Sequence, residues 1–232
     1  MTAAQRTLAA KAYYCVMCSH YQALRERSRF ERFFGVSDIP EGAKHDLWPG
    51  YMGLFIRPHP HAGIGDDAVP EKEVLLGSFG MVPAWAKDLK IARHTYNARS
   101  ETVATKPSFR DAWEKAQHCI IPAEFIVEPD WRSGKAVKTR IRRADGQPMG
   151  IAGLWAWWKL DQGDSTFSYT MLTINADTHP LMRNFHKPED EKRMVVVLPE
   201  EHYACWLNGK ASESRGLLEQ YPADGLIAET LR

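Results

Sequence analysis

The most reactive arrangement in the sequence is a cysteine, Cys18, that directly follows a methionine, Met17. If the chain is processed after Met17, Cys18 becomes the first residue and carries an α-amine and a thiol together. Such a 1,2-aminothiol condenses with an aldehyde through its amine, and its thiol then closes a five-membered thiazolidine ring. Because an α-amine titrates near pH ~8 and a free thiol near ~8.5, both groups can be activated close to neutral pH. The pair therefore predicts chemistry at an aldehyde, on condition that processing makes Cys18 N-terminal.

The segment ahead of this pair has two interpretations. Residues 1–16 are rich in alanine and contain no apolar stretch of the length that a secretory signal needs, so export is not expected. They are either the product of a wrongly assigned start codon or a pro-segment that the protein's own chemistry removes. We predict an N-terminal extension over residues 1–17 and a single domain over residues 18–232.

The cysteine pattern argues against a metal site or a disulfide framework. Cys15 and Cys18 form a C-x-x-C pair that, with His20, resembles half of a zinc site, but no second ligand pair with zinc spacing follows. Cys119 and Cys205 lie in apolar surroundings, which are typical of small core residues. Four scattered cysteines in a chain that is not exported indicate reduced thiols and a cytoplasmic location. We predict no metal and no cofactor.

Composition indicates a chain that can build one large core. Its 232 residues are 44% hydrophobic and include eight tryptophans, and they contain no run of eighteen apolar residues that could cross a membrane. The net charge of +1 conceals a basic stretch over residues 132–143, which has no acidic residue, and a C-terminal segment whose charges are mostly acidic. Such a basic stretch is compatible with polyanion binding, but it is also typical of a solvated hairpin.

The elements that must position the reactive residues are a mixture of strands and helices. Residues 21–34 carry apolar side chains at helical spacing and end at Gly35, which predicts an amphipathic helix. Alternation over residues 138–142 and the turn at 144–147 predict a hairpin with a strand over residues 149–154. Further strands are predicted over residues 73–81, 119–121, 167–174 and 193–198, and further helices over 108–117 and from 199 onward. We predict the α+β class, as a single domain with a mainly antiparallel sheet or open barrel and flanking helices.

Several short motifs follow Cys18 in a recognisable order. They are GMVPAWAKD at residues 80–88, YNARSET at 96–102, PSFRDAW at 107–113, CIIPAEFIVE at 119–128, and His186 with Arg193-Met194. The series resembles the SRAP (SOS response-associated peptidase) family, and the resemblance extends from Cys18 to about Leu198. It implies a single α+β domain that crosslinks abasic sites in single-stranded DNA through a cysteine exposed when the initiator methionine is removed.

The resemblance also implies which residues act. It assigns four catalytic residues: Cys18 as the aminothiol, Asn97 as a contact of the opened sugar, Glu128 as the catalytic glutamate and His186 as a proton shuttle. We also predict DNA contacts at Trp85, Arg99, Lys106, Arg110, His20 and Thr173, since cationic side chains can bind phosphates and an aromatic ring can stack on an unpaired base. Because Glu128 lies among apolar neighbours, burial is expected to raise the pKa of its carboxyl. We expect single-stranded DNA containing abasic sites as the partner, no membrane association, and a monomer.

The sequence departs from the family pattern close to these residues. Ser19-His20 stands where the family has Gly-Arg, which removes an arginine that helps to hold phosphate. Phe79 and Pro129 each replace a tryptophan. Six residues, 187–192, separate His186 from Arg193, where the family has about one. These departures leave the chemistry intact and change the expected contacts with DNA.

Three classes of function stay open on the sequence. The first is covalent capture of abasic sites in single-stranded DNA. The second is a cysteine peptidase, at least an autopeptidase that cuts the Met17–Cys18 bond, with Cys18 as nucleophile and His186 and Glu128 in base-like roles. The third is a non-catalytic protein that binds DNA or modified bases. A DNA adduct that survives electrophoresis, self-shortening of the chain, and binding without an adduct distinguish the three.

Overall fold

Strands dominate the computed structural model, which describes residues 18–63, 68–159, 163 and 165–231; the predicted extension over residues 1–17 lies outside these ranges. The helices in the described part are α1 (Arg27–Phe34), α2 (Arg110–Glu114), α3 (Tyr203–Asn208) and α4 (Ala211–Ser214). The strands there are β1 (Tyr21–Ala23), β2 (Asp46–Leu47), β3 (Met52–Pro58), β4 (Lys72–Phe79), β5 (Asn97–Arg99), β6 (His118–Asp130), β7 (Val137–Arg143), β8 (Met149–Lys159), β9 (Ser165–Asn175), β10 (Arg193–Val195), β11 (Val197–Leu198) and β12 (Leu226–Thr230).

Five of these strands close into a barrel. Their hydrogen-bonded order is β8-β9-β4-β3-β6, and β6 pairs again with β8. Strands β4 and β9 run parallel, whereas the other neighbours in the ring are antiparallel. The prediction of a single α+β domain built on a mainly antiparallel sheet is confirmed, and the β6–β8 pairing closes the barrel.

Aromatic side chains fill much of the buried core. Phe79 stacks on Tyr169 with ring centroids 5.6 Å apart, and the hydroxyl groups of Tyr21 and Tyr169 lie 2.5 Å from each other. This hydrogen bond satisfies two polar atoms that burial would otherwise leave unpaired. Helix α3 packs Trp206 against β6, where its indole N–H donates to the carbonyl of Cys119 at 2.9 Å. None of the helices in the described ranges is long and apolar enough to span a membrane.

The helix predicted over residues 21–34 is wrong at its start. Residues 21–23 form β1, which pairs with β2 and β6. Tyr21 and Ala23 are buried and Gln22 between them is half-buried, so side chains alternate with the period of a strand. The helix itself is α1, and it ends at Gly35 as predicted. The left-handed φ of 65° at Gly35 allows its N–H to bond the carbonyl of Glu31, which favours glycine at this position.

The predicted hairpin between residues 138–142 and 149–154 is also wrong. Strand β7 pairs with the second half of β6 and with β12, whereas β8 pairs with the first half of β6. The reason is the length of β6, whose thirteen residues are enough to pair with β8 along its first half and with β7 along its second half. Glu229 of β12 accepts hydrogen bonds from Arg140 and Arg142 of β7. Part of the basic stretch is therefore neutralised by the acidic C-terminal segment, which weakens its interpretation as a polyanion surface.

Four parts of the chain converge beside the barrel, and they carry the residues whose side chains could take part in a reaction. Strand β5 lies along β9 with Asn97 opposite Met171, and β10 lies along the other edge of β9 with Arg193 opposite Asn175. An isolated bridge between Asp130 and Phe185 holds the segment before His186 against the end of β6. The backbone ahead of β1 joins them, because Val127 of β6 donates to the carbonyl of His20.

Candidate active site

Cys18 lies buried at the start of the described chain, with 2% of its surface exposed. Its thiol contacts the carbonyl of His20 at 3.7 Å, and its own carbonyl accepts a hydrogen bond from Nδ2 of Asn97 at 3.1 Å. Burial raises the pKa of the Cys18 thiol, and the nearby carboxyl of Glu128 raises it further. The thiol is therefore held neutral near pH 7, with its backbone fixed by Asn97.

Glu128 is the buried acid of the cluster, with 2% of its surface exposed. Its carboxyl lies close enough to the Cys18 thiol for each group to shift the pKa of the other, and its Oε2 lies 3.8 Å from Nδ1 of His186. Burial raises the pKa of Glu128 to about 7, while the charge of His186 and the bond to Cys18 act in the opposite direction. A carboxyl with this pKa can both accept and release a proton at neutral pH, as general acid–base chemistry requires.

The raised pKa of Glu128 predicts a pH-dependent stability. Between the ordinary pKa of 4.5 and about 7, the folded chain holds a proton that the unfolded chain has released, so stability falls as pH rises through this window. A shift of this size corresponds to at most about 3 kcal/mol. We expect urea unfolding of the full chain at pH 5 and pH 8 to show this loss, and Glu128→Gln to lack it. Equal pH dependence in the two proteins would contradict the assignment.

His186 faces Glu128 from a strained backbone position. Its φ of 64° is in the left-handed region, which is uncommon for a residue other than glycine and costs on the order of 1 kcal/mol. Its backbone N–H donates to the carbonyl of Pro129 at 3.2 Å, and its Nε2 lies 3.2 Å from the carbonyl of Arg193. Since a carbonyl only accepts, Nε2 carries a proton and Nδ1 is directed at Glu128. The strained backbone is thus held by contacts that aim the ring.

Asn97 contributes a buried polar atom that has no hydrogen-bond partner among the described residues. Its Nδ2 is used on the carbonyl of Cys18, whereas its Oδ1 is buried and makes no hydrogen bond within the described ranges. A buried acceptor without a donor is costly, and it marks a place where a hydroxyl group of a bound molecule can donate. Asn97 therefore both fixes Cys18 and offers a hydrogen bond to a ligand.

The structure brings the four predicted catalytic residues together, whereas the predicted DNA contacts lie outside this cluster and differ in exposure. The Trp85 side chain is 56% exposed, and its indole N–H donates to the carbonyl of Pro107 at 3.2 Å. Lys106 and Arg110 are exposed. His20 stacks on Trp48 with ring centroids 4.2 Å apart and contacts Oδ1 of Asp46 at 2.5 Å, while its Nδ1 is buried.

Arg99 and Thr173 belong to an ion-pair cluster that the sequence did not indicate. NH1 of Arg99 donates to Oε2 of Glu191 at 2.6 Å, and the buried Arg193 binds both Glu101 and Glu191. The Thr173 hydroxyl is 3.2 Å from NH2 of Arg193 and its residue is 1% exposed, so it lies behind the arginine and not on the surface. Glu101 and Arg193 lie within quoted motifs, but nothing in the local sequence marks Glu191.

The described residues include no candidate metal cluster. Within the ranges that the structure describes, no group of three or more histidine, cysteine, aspartate or glutamate side chains is arranged to hold an ion. Cys15, the partner of Cys18 in the C-x-x-C pair, lies outside those ranges.

Comparison with known families supports the resemblance drawn from the motifs. The model of the SOS response associated peptidase (SRAP) family matches residues 17–231. The chain belongs to the SRAP family. The cluster formed by Cys18, Asn97, Glu128 and His186 lies within the residues that the family model matches.

Among curated relatives of this SRAP chain, the abasic site processing protein YoqW of Bacillus subtilis is 34% identical over 154 residues, which is 65% of each chain. The abasic site processing protein HMCES of Rattus norvegicus is 24% identical over 181 residues, or 64% of this chain and 49% of the relative. The match therefore spans just under two thirds of YoqW and half of HMCES.

Solved structures extend the comparison over most of the SRAP domain. A Bordetella bronchiseptica protein is 48% identical with a TM-score of 0.83, covering 93% of this chain and 100% of that one. A Bacteroides thetaiotaomicron protein is 22% identical with a TM-score of 0.76, covering 93% of this chain and 92% of that one, and it shows a shared fold.

Proposed function

We propose that this chain captures abasic sites in single-stranded DNA as a covalent adduct, through Cys18 as the N-terminal residue of the processed protein. The observation that carries the proposal is the arrangement of Cys18 against a carboxyl whose pKa is about 7, with an imidazole 3.8 Å from that carboxyl and an unpartnered amide oxygen beside them. The names of the curated relatives, which are abasic site processing proteins, support the same substrate.

The reaction uses the open form of the abasic sugar, which carries an aldehyde at C1. The α-amine of Cys18 adds to this carbon and gives a carbinolamine, which loses water and becomes an imine. The thiol then adds to the imine carbon and its proton passes to nitrogen, which closes the thiazolidine ring. Aldehyde and aminothiol thus give the ring and one water, and no oxidant or reductant is consumed.

Each residue of the cluster has a task in this sequence. Glu128 accepts the proton that the α-ammonium of Cys18 releases and returns it to the departing hydroxyl, because a pKa of about 7 suits both steps. His186 exchanges a proton with the ring oxygen of the sugar as the ring opens. Oδ1 of Asn97 accepts a hydrogen bond from a sugar hydroxyl. The raised pKa of the Cys18 thiol keeps it neutral until the imine has formed.

Self-cleavage of the Met17–Cys18 bond is the second candidate function. It is favoured by the contact between the Cys18 thiol and Glu128, since a nucleophile beside a base is the arrangement of cysteine peptidases. The two activities are compatible, because cleavage would generate the N-terminal cysteine that the adduct requires. Binding of DNA without any covalent step is the third candidate.

An oligonucleotide with a single abasic site tests these candidates. Incubation with the processed protein is expected to give a species that survives denaturing electrophoresis and has the mass of protein plus DNA minus one water. A mobility shift without an adduct would favour simple binding. Shortening of the full chain to a product that begins at Cys18, seen by intact mass, would establish the self-cleavage.

The state of the N-terminus is predicted to decide activity. A chain that retains residues 1–17 lacks the α-amine of Cys18, so it is expected to be inert toward abasic DNA. It should remain folded, because the first strand begins at Tyr21 and the barrel strands begin at Met52. Intact mass and thermal unfolding of both forms, followed by the adduct assay, check this. Equal adduct yields from the two forms would contradict the role of the amine.

A further inference from the structure

Arg99, which lies two residues from Asn97 on β5, forms an ion pair with a carboxylate of the chain itself. Asn97 and Arg99 are two residues apart on β5 and so share one face of the strand. Asn97 contacts Cys18, which places Arg99 beside the point where the reacting sugar would lie. NH1 of Arg99 donates to Oε2 of Glu191 at 2.6 Å, and 39% of the Arg99 side chain is exposed.

Glu191 is held by donors from three strands. Besides Arg99 of β5, it accepts from Nδ2 of Asn175 at the end of β9 at 3.3 Å and from NH1 of Arg193 of β10 at 2.9 Å. Two guanidinium groups and an amide arranged around one anion are also the donor set that binds a phosphate. The Glu191 carboxylate thus occupies a position with the chemistry of a phosphate site.

The segment that carries Glu191 is the six-residue stretch 187–192 between His186 and Arg193. It is tied down by hydrogen bonds from the N–H of Lys192 to Oδ1 of Asp177 and from the N–H of Ala176 to the carbonyl of Lys192, at 2.8 and 2.7 Å. Arg193 is also bound by both carboxylate oxygens of Glu101, at 2.8 and 2.9 Å. Loss of the Glu191 charge would therefore leave Arg193 paired and release mainly Arg99.

We propose that Glu191 is an internal competitor for the DNA phosphate that Arg99 binds, so that single-stranded DNA must displace its carboxylate on entering the site. This inference rests on the proposed function, because it takes DNA as the ligand of Arg99. Exposure limits the exchange to Arg99: its side chain is 39% exposed, whereas that of Arg193 is 1% exposed and out of reach of a phosphate. Glu191 then lowers affinity for any single strand, with or without an abasic site.

The test measures binding of single-stranded DNA without an abasic site, by fluorescence anisotropy at low and at high salt. Glu191→Gln is expected to tighten binding about two- to fivefold at low salt, the size typical of a partly exposed ion pair, and less at high salt. Glu189→Gln makes the same charge change on an exposed residue of the same segment and is the matched control, with a smaller effect expected. In an Arg99→Ala background, the gain from Glu191→Gln should vanish.

Three results would overturn the inference: weaker binding by Glu191→Gln, an equal gain in Glu189→Gln, or a gain that persists without Arg99. The first would mean that Glu191 positions Arg99, and the other two that the effect is general electrostatics. If wild type forms the adduct with abasic DNA while these variants contradict the exchange, this inference fails alone. If wild type neither binds nor captures DNA, the proposed function fails with it.

Discussion

Replacing Cys18 with alanine is expected to abolish the covalent adduct with abasic DNA completely. Alanine keeps an α-amine at the processed terminus but has no thiol, so an imine can form and the thiazolidine ring cannot close. The imine hydrolyses readily, and no product should survive denaturing electrophoresis. Salt-sensitive binding of DNA should persist, because the predicted phosphate contacts belong to other residues. The assay is adduct yield on gels, with anisotropy for binding.

Cys18→Ser distinguishes the contribution of the α-amine from that of the thiol. It retains the α-amine and should give a transient imine that borohydride traps, without a stable ring. Cys205 was predicted from its apolar neighbours to be a core residue, but it is an exposed free cysteine on α3. Cys205→Ala is therefore the matched control, and its adduct yield should equal that of wild type. An adduct of normal stability from Cys18→Ala would show that another residue is the nucleophile.

Glu128→Gln is expected to slow adduct formation by roughly 10²- to 10⁴-fold, as the loss of a positioned acid–base group does, without changing the product. Glutamine keeps the shape and the polarity of the side chain but cannot take the proton of the Cys18 amine or deliver it to the departing hydroxyl. The wild-type rate should change around the pKa of about 7 that burial gives Glu128, and the variant should lose that dependence. Single-turnover rates across pH, with DNA in excess, measure both effects.

The same strand supplies the control for this experiment. Glu124→Gln is also a carboxyl-to-amide change on β6, but Glu124 pairs with Arg29 at 2.5 and 2.6 Å outside the cluster, so its adduct rate should be that of wild type. His186→Ala should slow the reaction over the same range as Glu128→Gln. If both Glu128→Gln and His186→Ala react at the wild-type rate while Cys18→Ala is inactive, the cysteine retains its role and the acid–base assignments are wrong.

Much of the fold class was accessible from sequence, and the detailed pairing was not. Alternating and apolar runs marked most of the strands because side-chain period is a local property. Residues 21–23 were assigned to a helix because the apolar spacing of α1 also suits the residues before it, and burial against β6 made them a strand. The prediction of a hairpin between β7 and β8 was wrong for a related reason. A turn sequence indicates that the chain reverses, but it does not fix which strands pair. Here β7 and β8 both pair with the thirteen-residue β6 and not with each other.

Some features of the candidate site could also be predicted from the sequence, and others could not. The sequence by itself determined the identity and order of Cys18, Asn97, Glu128 and His186, because motif residues are read one at a time, and with them the SRAP family. Only the tertiary structure decided that Glu128 is buried beside a thiol and an imidazole, which raises its pKa to about 7. It also decided that Arg99 contacts Glu191, ninety-two residues away. Burial and ion pairing depend on which distant segments meet, and that is settled by strand pairing across the barrel and not by local sequence.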